Sequence, residues 1–135
     1  MALQLSVTVR NAQLDAIETA VGTSPIMRIR TGSVPATCAT ADAGTVLATL
    51  TLPSDWMAAA SAGAKAKSGT WQDTSADATG TAAHFRIYDS GGTVCHLQGT
   101  VTATGGGGDM TVDNTSFVSG QSFTVNTFSI TRGNA

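Results

Sequence analysis

The 135-residue sequence predicts a mainly β protein: an antiparallel β-sandwich of jelly-roll or Greek-key type, with seven or eight strands and one N-terminal α-helix. Three observations predict it. A single segment near the N-terminus repeats apolar residues at spacings of three and four, as a helix face requires. From residue 25 onward, short runs of Val, Ile, Thr and Phe alternate with Gly, Ser, Asp and Pro about every ten residues. The long connections at 31–45 and 52–64 suit a Greek key better than a meander. A chain of this length forms one globular unit, with residues 1–22 as arm and amphipathic helix and 23–135 as the sandwich.

Residues 1–5 read as an extended arm. Across 6–21, Val7, Arg10, Leu14, Ile17 and Val21 fall on one helical face, while Asp15 and Glu18 fall on the other. Ser6 is placed to cap the start, Gly22 stops the helix and Pro25 prevents its continuation. Strands are expected at 25–31, 45–52, 64–71, 80–88, 93–102, 109–112 and 121–131, with a short eighth at 56–60. In "TVLATLTL", Val46, Ala48, Leu50 and Leu52 alternate with Thr45, Leu47, Thr49 and Thr51, so one face packs and the other is mostly hydroxyl. In the last strand Phe123 and Val125 share one parity, and Phe128 and Ile130 the other. That phase change predicts a bulge or a crossing between sheets. "TGGGGD" at 104–109 and "ADAGT" at 41–45 read as flexible loops.

The stretch "AHFRIYDSGGTVCHLQGTV" holds both histidines, one of the two cysteines and the single tyrosine. A turn at Ser90-Gly91-Gly92 makes it a hairpin. The register that best sorts its apolar residues pairs Ile87 with Cys95 and Phe85 with Leu97 on a core face. Tyr88, Arg86, His84 and His96 then share the opposite, solvent face. Cys95 and His96, as strand neighbours, point apart and cannot ligate one ion together, and Arg86 separates His84 from His96. The same geometry separates a Cys–His nucleophile pair. No metal, cofactor or catalytic residue is nominated. "GGGG" lacks the Lys-Ser/Thr of a phosphate loop, and the carboxylates of "WQDTSAD" and "DMTVDN" serve turns.

Charged residues make up 12% of the chain and apolar residues 41%, with a net charge of −2. The seven scattered Lys and Arg form no stripe for phosphates, which argues against nucleic acid. No apolar run approaches a membrane span. The segment beginning at Met carries no basic region followed by an apolar block, which predicts synthesis in a cytoplasm. Cys38 and Cys95 are accordingly expected to be reduced, free thiols. Trp56 and Trp71 have two readings: rings that plug the core, or rings exposed for stacking on a sugar.

The phrases "RNAQLDAIETAVGTSPIMRIRTG", "LATLTLPSDWMAAAS" and "GQSFTVNTFSITRGNA" resemble a family of small virion proteins of tailed bacteriophages. These are capsid cement or decoration proteins with a jelly-roll-like body, and the resemblance runs over nearly the full length. It implies a non-enzymatic protein on the capsid surface, made in the bacterial host cytoplasm. It also implies a homodimer or homotrimer whose partner is the major capsid protein, whose neighbouring subunits it clamps. Leu3, Leu5, Val7, Leu14, Ile17 and Val21 are the expected staple, and removing residues 1–21 is expected to leave a β-rich fold. A carbohydrate- or receptor-binding module of a head fibre or tail tip is the alternative, with Trp56, Trp71, His84, Arg86, Tyr88 and His96 as the partner face.

Overall fold

A computed structural model describes residues 2–134, so Met1 and Ala135, the outer ends of the two predicted segments, lie outside the described residues. Helix α1 spans Val7–Val21. Ser6 is extended, and its Oγ accepts the Val9 N–H at 3.2 Å. Gly22, at φ 89°, takes a backbone conformation that a side chain would oppose, and its N–H bonds to the Glu18 carbonyl. Leu14 and Val21 are buried and Ile17 packs against the core, whereas Val7 stays 46% exposed. The opposite face is not simply solvated. Asp15 and Glu18 each lie 2.8 Å from the ammonium of buried Lys65, which ties the helix to the body.

Eleven strands follow among the described residues. They are β1 (Ile26–Arg30), β2 (Val46–Thr51), β3 (Ala64–Ala66), β4 (Trp71–Asp73), β5 (Gly80–Thr81), β6 (His84–Tyr88), β7 (Cys95–Ala103), β8 (Met110–Val112), β9 (Ser116–Phe117), β10 (Phe123–Val125) and β11 (Ser129–Thr131). The fold is therefore mainly β with one helix among the described residues. A five-stranded sheet has the order β2-β1-β6-β7-β8, and β10-β4, β11-β3 and β5-β9 form two-stranded pairs. The excess over the expected count comes from three divisions and from β9, which lies outside every predicted strand. The predicted strand at 64–71 becomes β3 and β4, that at 80–88 becomes β5 and β6, and that at 121–131 becomes β10 and β11. The phase change in the last falls between its halves, which pair with different partners, so it is a crossing. Segment 56–60 contributes a single bridge, Met57 to Lys67.

One pairing departs from the antiparallel expectation: β7 and β8 run parallel, joined only by residues 104–109. Parallel neighbours normally need a crossover of a dozen or more residues. Here the glycine run permits the fold-back. Gly105 and Gly107 adopt φ of +90° and +79°, and a Cβ on Gly106 or Gly108 would meet Thr102 at 2.7 or 2.9 Å. Asp109 Oδ2 accepts the Thr100 N–H at 2.8 Å, and Thr102 Oγ1 accepts that of Gly108 at 3.0 Å. The glycines are thus a packing requirement of a tight connection, not a slack loop.

One face of the five-stranded sheet supplies Met27, Ile29, Ala48, Leu50, Phe85, Ile87 and Val101 to the core. Trp56, Trp71, Phe117, Phe123, Val125 and Phe128 complete it. Trp71 bridges Trp56 and Phe128 at centroid distances of 6.0 and 5.5 Å, and Phe85 meets Phe128 edge-on at 5.6 Å. No helix among the described residues is long and apolar enough to cross a membrane.

Candidate functional site: a strapped arginine face

The other face of the sheet is cationic. Strand alternation puts Arg28 and Arg30 on one side of β1, and His84, Arg86 and Tyr88 on the same side of β6. Antiparallel pairing then sets Arg28 directly opposite Arg86, and Arg30 opposite His84. Like charges so placed repel, and the face stands only because something answers them. The answer is the connection at 31–45, which lies over the sheet as a strap.

Asp42 of this strap is the hub. It pairs with Arg30 at 2.9 Å and with Arg86, and it accepts the Tyr88 hydroxyl at 2.6 Å. Arg86, 1% exposed, also donates to the carbonyls of Thr37, Cys38 and Thr40 at 3.3, 2.8 and 3.1 Å. Arg28 stacks over the Tyr88 ring at 4.7 Å and donates to the Gly92 carbonyl. His84 Nδ1 meets the Gly32 carbonyl at 2.7 Å, and Gln98 Nε2 donates to that of Pro35 at 2.6 Å. Partial burial pushes the Asp42 carboxyl up, but Tyr88 and the two guanidiniums outweigh this and hold it below the usual carboxylate range. Burial and the Asp42 acceptor raise the Tyr88 phenol.

The hairpin register differs from the expected one. His84 pairs with Thr100, Arg86 with Gln98 and Ile87 with Leu97, and then a bulge brings Tyr88 opposite Cys95. His96 is the extra residue of the bulge and is exposed. Cys95 consequently leaves the Phe85–Ile87 face and joins the arginine face, where Arg86 Nε approaches its Sγ at 3.3 Å. Sorting apolar residues across the ladder could not reveal the bulge, because the favoured register treated Cys95 as a core residue. His84, Arg86 and Tyr88 are buried under the strap, so of the predicted solvent face only His96 is available to a partner.

Trp56 and Trp71 are both fully buried. Their Nε1 atoms donate to the carbonyls of Gly22 at 3.0 Å and Ser68 at 3.1 Å, so neither ring presents a face to a sugar. The six staple residues divide. Leu14 and Val21 are inside, Ile17 and Leu5 are half-buried, and Leu3 and Val7 are outside, joined there by Val9. The arm is held by the C-terminal tail: the Leu5 N–H donates to Asn134 Oδ1 at 2.8 Å, and Arg10 donates to the Arg132 carbonyl at 3.2 Å. Removing residues 1–21 would strip Leu14 and Val21 from the core and both carboxylates from buried Lys65. The deletion expected to leave a β-rich fold would thus remove core and ion-pair contacts as well as the arm.

Asp42 was missed by sequence reasoning, as was the role of the strap. The only sequence signal was an excess of arginine on alternating positions, "MRIR" and "HFRIY", that had to find a counter-charge. Among the described residues no group of three or more His, Cys, Asp or Glu side chains gathers to hold a metal ion. No family model, curated protein or solved structure matches the chain.

Proposed function

We propose that this protein is a structural component of a tailed-bacteriophage virion, a capsid cement or decoration protein. It binds the outside of the major capsid shell as a homodimer or homotrimer and clamps neighbouring subunits. Its body is, on this reading, a jelly-roll-like sandwich, with the five-stranded sheet as one layer and the shorter pairs closing the other.

The observation that carries the proposal is the apolar surface at the N-terminal end. Leu3 is 78% exposed, Val7 46% and Val9 44%, on an arm and first helical turn that the C-terminal tail holds in place. A pre-ordered apolar arm contributes buried area on assembly at a low ordering cost. The sparse surface charge adds little desolvation penalty to such a contact. The sugar-binding alternative has no comparable support, since Trp56, Trp71 and Tyr88 are all buried.

The test is a triple substitution, Leu3→Ser, Val7→Ser and Val9→Ser, in the full chain. The expected result is an unchanged circular-dichroism spectrum together with a loss of roughly tenfold or more in retention on capsids that lack the wild-type protein. Retention at wild-type occupancy would refute the arm as the clamp. Failure of the wild-type chain to bind any such particle would refute the functional reading itself.

A further inference from the structure

The strap and β7 bring the two cysteines of the chain to one place. Cys38 and Cys95 line the same cavity of about 230 Å3, with Asp42, Arg86 and Tyr88. One planar guanidinium spans both residues: Arg86 Nη2 donates to the Cys38 carbonyl at 2.8 Å, and its Nε reaches Cys95 Sγ at 3.3 Å. Both thiols are free and half-buried, so a small reagent can reach them. The Cys95 thiol donates to the Leu97 carbonyl at 3.3 Å, a weak bond that is given up at little cost.

We propose that Cys38 and Cys95 form a redox-dependent intrachain crosslink, made by exchange with a small-molecule disulfide of the glutathione class, which fastens the 31–45 strap to β7. Cys38, on the strap, is the attacking thiol in this scheme. Burial and the adjacent Cys38 thiol push the Cys95 thiol up to about 11, with Arg86 pulling the other way, so Cys95 is a poor first nucleophile.

The Cys38 thiolate attacks one sulfur of the small disulfide, forms a mixed disulfide and expels one small thiolate. Cys95 then loses its proton to that thiolate and attacks the Cys38 sulfur, expelling the second. Two protein thiols lose two electrons and two protons, and one small disulfide becomes two thiols. A made-and-reduced protein would thus keep an openable strap in a reducing compartment and lock it on reaching an oxidising one.

The experiment equilibrates the purified full chain with graded ratios of oxidised to reduced glutathione, blocks remaining thiols with a maleimide and records intact masses. The expected product is a monomer lighter by two hydrogens, unlabelled by maleimide, that yields a linked Cys38–Cys95 peptide. Its thermal midpoint should exceed that of the reduced chain by on the order of 10 °C, a gain erased by dithiothreitol. In Cys95→Ser, a stable glutathione adduct on Cys38 is expected. Two maleimide labels at the most oxidising ratio, separate adducts on both cysteines, or interchain dimers would each overturn the crosslink. These readouts do not depend on any capsid, so their failure is separable from failure of the particle-binding reading.

Discussion

Replacing Asp42 by alanine should destabilise the fold by about 2–3 kcal/mol. The substitution removes one carboxylate that serves three groups: Arg30, Arg86 and the Tyr88 hydroxyl. Breaking a buried ion pair typically costs about 3–5 kcal/mol, because the remaining charge is left without a counter-ion. Two features reduce that figure here. The Asp42 side chain is itself 38% exposed, so water screens part of the attraction. Arg86 also keeps its bonds to the carbonyls of Thr37, Cys38 and Thr40. Urea unfolding at neutral pH reads the difference, which corresponds to a fall in thermal midpoint of about 8 °C. Asp42→Asn, which keeps an acceptor for Tyr88, should cost less. The pH dependence follows from the sign of the shift. The folded-state carboxyl is held below its unfolded value of about 3.9, so its contribution is complete above that pH and is lost as pH falls through the lower folded value. Wild type and Asp42→Ala should therefore converge in acid. A cost under about 0.5 kcal/mol at pH 7, or a gap that does not narrow below pH 4, would show that the carbonyls alone satisfy Arg86 and would refute the role of Asp42 as hub.

Lys65→Ala should cost about 3 kcal/mol by leaving Asp15 and Glu18 without their cation and a void under α1, whereas Lys65→Met, which fills the space, should cost less; chemical denaturation ranks the two. Gly106→Ala and Gly108→Ala should each destabilise by about 1–3 kcal/mol, since the new methyl meets Thr102, while Gly133→Ala, with open space around it, should stay within about 0.5 kcal/mol. Equal effects at all three sites would contradict the tight fold-back between β7 and β8. Tryptophan emission should be poorly quenched by acrylamide and unmoved by glycans, because Trp56 and Trp71 are fully buried; glycan-dependent quenching would show that a ring is accessible.

The elements whose cause is local were legible in the sequence. Helix α1 needs only Ser6 at its start, Gly22 at its end and an apolar repeat between, all within a few residues of one another. The β6–β7 hairpin was equally visible, because its turn lies within seven residues of both strands. Its register was not. The bulge at His96 follows from placing Cys95 beside Arg86 and Tyr88, and no alternation rule encodes that preference. The tryptophans were ambiguous for the same reason, since a ring that fills a core and one that meets a ligand have the same local sequence.

By itself, then, the sequence determined the mainly β class, the position and limits of helix α1, the approximate positions of most strands and the sparse surface charge. These depend on propensity, caps and periodicity, which act over a few residues. The tertiary structure decided which polar residues are buried and what they touch. Asp42 reaches Arg86 and Tyr88 across more than forty residues, Lys65 reaches Asp15 across fifty, and Cys38 meets Cys95 only because the strap closes. A buried charge is tolerated only with its partner in place, and chain folding, not sequence proximity, supplies the partner.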